Sequence, residues 1–364
     1  MVPALTASRL TIARKRREYT KKRLAEAIGL TDRMISFYEA GTKTPSIETL
    51  ARLADVLRFP VEFFYGDDLE EPALDTASFR ALRSMTSTQR DAAYAAGTLA
   101  IQLNKWIEER FVLPEPDVPS LRGFSTPEAA AEAIRLEWRL GVRPIDNSIH
   151  LLEAHGVRVF SLPTDSKKVD AFSVWQGQTP YLFVNTSKTA ERIRFDVAHE
   201  LGHLTLHRHG KPSGRVAEYE ADRFASALLM PRSSVLAHVP RNPSVRIVVA
   251  KKREWRVAAS ALAHRLHEVG LASDWCYRSL CIELAKQGWD KEPGEPIDKE
   301  GSQVLSKVLS ALRAEGLRYS HIAHALHFVT DELNALMFGL AIVAIDGGKQ
   351  GNRNKPLGQL RPVN

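Results

Sequence analysis

With 364 residues, a net charge of +7 and only two cysteines, Cys276 and Cys281, the chain is too long for one compact core and too poor in thiols for a disulfide framework or a cysteine-held zinc cluster. No apolar run approaches the roughly 20 residues that cross a bilayer, and the stretch MVPALTASRLTIARKRR places its cations after its apolar residues, the reverse of a secretory signal. A cytoplasmic, mainly α multidomain protein away from any membrane is therefore expected, in which any metal rests on histidine and carboxylate.

The first predicted unit covers 1–69. From residue 8 to about 65, short amphipathic helices alternate with breaks at Gly29, Gly41 and Pro45, which reads as a small all-α unit of five helices. In KKRLAEAIGLT, Leu24, Ala25 and Ile28 share one helical face before Gly29, which tolerates a left-handed backbone and so permits a sharp turn. Thr31 then caps a second helix in which Met34, Ile35 and Tyr38 alternate with Arg33, Ser36 and Phe37, leaving a polar face outside the core. Such a face is what a recognition helix offers a major groove. The segments LAEAIGLT, ISFYEAG, the Pro45-Ser46 helix start and LARLADVL together resemble the Cro/CI-type, or XRE, family of helix-turn-helix domains. That resemblance implies double-stranded operator DNA as partner and places Lys21, Lys22, Thr31, Asp32, Arg33 and Ser36 at it, the lysines on phosphate and Arg33 reading bases. The crowd of Arg14, Lys15, Arg16, Arg17, Lys21, Lys22 and Arg23 is a candidate polyanion-binding face.

Residues 70–125 read as a helical segment closed by the proline-rich stretch Pro114 to Pro119. A second unit, 126–235, opens at Thr126-Pro127-Glu128, a strong helix start, and another helix is expected from about Pro144 to His155. Val157–Leu162, Val169–Trp175 and Tyr181–Val184 are β-branched and aromatic runs separated by polar or Gly/Pro breaks, which predicts a small antiparallel meander. A long helix over about Lys188–His207 follows, then a Gly-Lys-Pro-Ser-Gly loop and a helix from about Val216 to Leu229.

The long helix carries FDVAHELGHL. His199 and His203 are four apart and lie one above the other, so both rings can face one ion, while Glu200, about 100° around the helix, can act as a general base without being a ligand. Two imidazoles and one carboxylate leave zinc an open position for water. His209 falls where HExxHxxGxxH proteases place their third histidine, but Leu206 stands where those enzymes need a chain-reversing glycine. Glu218 in the run EYEAD is the favoured third ligand and Glu220 the runner-up, with Asp222 placed to hold the other nitrogen of a ligand histidine. His207, one turn past His203, reads as a helix-end or pocket residue.

Taken together, PYLFVN, RIRFDVAHELGHLTLH and EYEADRFASALLMP resemble the ImmA/IrrE family of metallo-endopeptidases over about 126–235. The resemblance implies a central α+β zincin-like (gluzincin) domain, Zn2+, cleavage of a protein target, and Tyr181–Val184 lying along the cleft as an edge for substrate backbone. It implies a DNA-binding transcriptional regulator whose target is a partner repressor or antitoxin-like protein, with a homodimer left open. The alternative is a catalytically silent sensor acting through DNA or protein binding alone, against which the retention of Glu200 argues.

Residues 236–345 read as a helical C-terminal domain with Trp255, Leu262, Leu266, Trp275, Leu280, Leu284, Leu305, Leu309 and Leu312 in its core. Lys251-Lys252-Arg253 and the pair His321 and His324 read as solvated helix faces, and 346–364 as a disordered tail.

Overall fold

The computed structural model describes residues 5–69, 71, 86–162, 170–208, 214–286 and 292–341; the expected tail, 346–364, and His209 lie outside them. The N-terminal unit consists of α1 (Ala7–Arg16), α2 (Lys21–Ala27), α3 (Asp32–Glu39), α4 (Ile47–Leu57) and a 3-10 turn, Val61–Tyr65, which stands where a fifth helix was expected. Thr20, Thr31 and Ser46 each accept a bond from the backbone N–H three residues on, satisfying a donor that the first turn leaves open. Gly29 takes φ +68°, and this turns α2 into α3. Leu10, Leu24, Ile35, Leu53 and Phe63 are wholly buried and form the core of the unit.

Next comes α5 (Ser87–Glu108), whose middle is made of small residues, Ala95, Ala96, Gly97 and Ala100, that let neighbours approach closely. A Cβ at Gly97 would stand 3.4 Å from the Phe183 ring and 3.7 Å from Phe172, so the β-sheet lies against this helix. Since α1 also packs on α5, the helix-turn-helix unit and the sheet share one support.

After α6 (Pro127–Glu137) and α7 (Ser148–Ala154) come β1 (Arg158–Ser161), β2 (Ala171–Gln176) and β3 (Thr179–Val184). Their spatial order is β1-β3-β2. Only β2 and β3 form an antiparallel hairpin, with Ala171 opposite Val184, while β1 pairs parallel to β3 with Arg158 opposite Tyr181. The expected antiparallel meander is thus a mixed sheet. The strands are buried almost throughout and show no inward/outward alternation, and the turn residues report a hairpin but not which long-range edge β1 takes. With a strand on either side, β3 cannot accept a substrate backbone as an added edge strand.

The opposite face of the sheet meets α8 (Ala190–Leu206), which lies against α9 (Arg215–Leu229). There follow α10 (Arg232–His238), α11 (Val245–Trp255), α12 (Ala259–Glu268), α13 (Asp274–Lys286), α14 (Gln303–Ala314), α15 (Tyr319–Leu326) and α16 (Thr330–Met337). Buried ion pairs tie these helices to α8: Lys252 lies 3.1 Å from both Glu191 and Glu292, and Arg194 binds Glu300. Lys252, 1% exposed, is therefore an interior residue and not part of a solvated face. Trp275 departs from its expected core position, being 80% exposed, because the inward stripe of α13 runs through Cys276, Leu280 and Leu284, one residue out of phase with it. His321 and His324 are exposed as expected. Among the described residues no helix is long and apolar enough to cross a membrane.

Candidate metal centre and nucleic-acid face

The metal site arises where α8 and α9 come closest. At Gly202 a Cβ would meet Phe224 Cδ1 at 3.1 Å and Ala221 Cα at 3.2 Å, so glycine here lets the second helix lie directly on the first. Its neighbours on α9 then face the histidines. His199 Nε2 and His203 Nε2 stand 3.1 Å apart, and the Glu218 carboxylate reaches within 3.4 Å of the first and 3.8 Å of the second. One donor atom from each of these three residues lies within 4.8 Å of the other two. Ligands at the usual zinc distances around a tetrahedron are about 3.3 Å from each other, so the donor set fits such an ion.

The remaining acidic residues of α9 are divided among the rings. Asp222 Oδ1 lies 2.8 Å from His199 Nδ1, and Glu220 Oε2 lies 2.9 Å from His207 Nε2, while His207 Nδ1 is 3.0 Å from His203 Nδ1. Glu220, the runner-up ligand, thus faces His207 instead of the ring pair. Burial alone would discourage charge on His199, but its bonds to Asp222 and Glu218 and the charge of Glu200 prevail and hold it up to about 10. His203 is pushed well below the ordinary range, first by burial and then by the charges of its neighbours His199 and His207.

Glu200 is 3% exposed and takes a 2.7 Å bond from the Ser173 hydroxyl of β2. Sequence reasoning missed Ser173. The signal for it was a lone hydroxyl inside the otherwise apolar buried run AFSVW.

In the N-terminal unit Lys22, Thr31, Asp32 and Arg33 are exposed, and Lys21 and Ser36 are half-buried with Lys21 Nζ 3.4 Å from Ser36 Oγ. The basic cluster does not form one continuous face. Arg14 binds Glu39 at 2.5 Å, Lys15 binds Glu71 at 2.7 Å, and Arg16 and Arg17 bind Glu332 at 2.5 and 2.6 Å. Half-buried Phe37, absent from the expected contact set, offers its ring to Arg33 at 5.3 Å and to Lys43 at 5.0 Å and restricts both cations.

Fold and site together define two parts of the chain, a helix-turn-helix unit and an α+β unit with a metallopeptidase-like pair of helices. Residues 10–64 match the family described as Helix-turn-helix, and residues 152–267 match the peptidase family described as IrrE N-terminal-like domain. No curated protein matches the chain. The second match starts within α7 and ends one residue short of the end of α12.

Proposed function

We propose that the chain is a DNA-binding transcriptional regulator with a zinc-dependent endopeptidase site, cleaving a partner repressor or antitoxin-like protein and thereby relieving repression. The observation that carries this reading is the meeting of two Nε2 atoms 3.1 Å apart with the Glu218 carboxylate, beside a buried glutamate that is not one of the three. His199, His203 and Glu218 would hold the zinc. When bound, zinc supplies the Lewis acidity that polarises a peptide carbonyl and brings water into the range of a nucleophile at neutral pH. Glu200 takes the proton of the attacking water and later delivers it to the departing amine, and the Ser173 hydroxyl keeps its carboxylate in one orientation. Asp222 accepts the Nδ1 proton of His199 and so leaves Nε2 as that ring's ligand atom. Lys21, Lys22, Thr31, Asp32, Arg33 and Ser36 meet the operator, with Arg33 held against Phe37.

The test is Glu200→Gln in the full chain. Cleavage of the partner should fall by about 10²–10⁴-fold while zinc content and DNA affinity stay at wild-type values, and the uncut partner should co-purify. Proteolysis at the wild-type rate would remove the mechanism.

A further inference from the structure

The two imidazoles at the candidate metal site are supported differently. His199 Nδ1 meets a carboxylate directly, that of Asp222 at 2.8 Å. His203 Nδ1 instead meets a third imidazole, His207 Nδ1, at 3.0 Å, and His207 Nε2 meets Glu220 Oε2 at 2.9 Å. We propose that His207 and Glu220 form a positioning relay that fixes the tautomer and aim of His203 toward the metal. This rests on the reading of His199, His203 and Glu218 as ligands, and deepens it.

The relay follows from counting protons. A carboxylate can only accept, so the Glu220 oxygen requires an N–H at His207 Nε2. In the tautomer that leaves His203 Nε2 free for a metal, the ring's proton lies at Nδ1, and His207 Nδ1 must then accept it with a lone pair. His203 is then left with its lone pair at Nε2, the atom 3.1 Å from His199 Nε2 and within reach of Glu218. The reverse order would set a lone pair of His207 against the Glu220 carboxylate and put the His203 proton at the ligand atom. Glu220 thus selects, through two rings, the one tautomer of His203 that can bind a metal. The spacing comes from the helices. His203 stands in the last turn of α8 and His207, four residues on, is its C-cap, so their rings come within 5.1 Å between centroids, tilted by 48°, and α9 brings Glu220 to the outer end. Side-chain exposure rises along the chain of residues, 4% at His203, 11% at His207 and 40% at Glu220, so the relay runs from the buried site to the surface.

The experiment measures zinc affinity of the full chain by competition with a chromophoric chelator, and the visible spectrum of the cobalt(II)-loaded protein, for wild type, His207→Phe, His207→Gln, Glu220→Gln, Asp222→Asn and the doubles. His207→Phe should weaken zinc about 10–100-fold, and Glu220→Gln by less. His207→Gln keeps an acceptor for the His203 proton and should recover most of the affinity. Because Glu220 acts through His207, Glu220→Gln should have no further effect in the His207→Phe background, whereas Asp222→Asn should add its full effect there. The cobalt bands should keep their position and intensity, since no ligand is lost. Wild-type affinity in both His207→Phe and Glu220→Gln would overturn the relay. So would a Glu220→Gln effect that survives without His207, or a cobalt spectrum showing a changed ligand set in His207→Phe. Glu220→Gln alters a half-exposed side chain and keeps the comparison usable if His207→Phe does not fold. A wild-type chain that takes up no zinc would instead defeat the ligand reading, and the relay with it.

Discussion

Ser173 Oγ donates to Glu200 Oε2 at 2.7 Å, a bond between an otherwise apolar strand and the carboxylate proposed to move protons. A hydrogen bond to a charged group contributes about 1.5–3 kcal/mol, and only the part that bears on the reacting geometry affects turnover. Ser173→Ala is therefore expected to lower kcat about tenfold with KM and zinc content unchanged, measured by steady-state cleavage and metal analysis. An unchanged kcat would show that α8 alone positions Glu200. The difference between these two residues also explains what the sequence disclosed. His199, Glu200 and His203 were legible because the helical period relates them within five residues, and Glu218 and Asp222 because a second acidic helix had to supply what the first lacked. Ser173 lies 27 residues from Glu200, on a strand whose pairing no local pattern specifies, so the sequence showed a hydroxyl in an apolar run and nothing of what it touches. Phe37 escaped for a related reason: an aromatic residue on the outer face of a helix reads as incidental until Arg33 and Lys43 are seen against its ring.

The contact between α8 and α9 sets where Glu218 stands, and Gly202 sets the contact. A methyl group there would press on Phe224 at 3.1 Å and on the backbone of Ala221 at 3.2 Å, between Glu218 and Asp222. Gly202→Ala should cost about 1–3 kcal/mol in chemical denaturation and weaken zinc by moving α9 outward; unchanged affinity would mean that the helix pair yields elsewhere. Another joint carries a pH dependence. Glu153 on α7 accepts from the Ser302 hydroxyl and from the backbone N–H groups of Gln303 and Val304, closing the N-terminus of α14. Burial outweighs these donors and pushes its carboxyl up to about 7. Between the unfolded value of about 4.5 and 7 the folded chain therefore holds a proton that the unfolded chain has lost. That stabilisation is complete below the window and is lost as pH rises through it, to a total of about 3 kcal/mol. Glu153→Gln should flatten the wild-type slope of unfolding free energy between pH 4.5 and 7, and an unaltered slope would place the proton elsewhere. Of the elements themselves, α8 and α9 were legible almost to the residue because breaks flank them, Thr189 capping the first and Gly214 and Pro231 bounding the second, whereas β1, which packs on α7 and on the distant α16, takes a parallel pairing with β3 that no local pattern specifies.

Across the whole molecule, the basic N-terminal stretch shows how far composition can mislead about a binding face. Arg14, Lys15, Arg16 and Arg17 are taken by Glu39, Glu71 and Glu332, residues 25 to 316 positions distant, and no count of cations could reveal those partners. On the proposed DNA-binding reading, the cations left for the duplex are Lys22, Arg23, Arg33, Lys43 and Lys21, the last at a looser 3.4 Å from Glu39. The logarithm of DNA affinity should then fall against the logarithm of salt with a slope of about −4 to −5 per bound chain; a slope near −8 would mean that the internal pairs open on DNA. Glu332 has the larger consequence, because it joins the two ends of the fold. Its side chain, 1% exposed, holds Arg16 at 2.5 Å and Arg17 at 2.6 Å from α16, while Phe328, just before that helix, lies 6.2 Å from Phe63 of the N-terminal unit. Removing one member of such a buried group leaves the others without compensation, at a cost of about 3–5 kcal/mol. Glu332→Ala is therefore expected to raise hydrogen exchange in α1 and α16 together, with zinc affinity unchanged because neither α8 nor α9 contributes to the tie. If exchange rose in α16 alone, the packing of α1 against α5, not this carboxylate, would be what holds the DNA-binding unit to the rest of the chain.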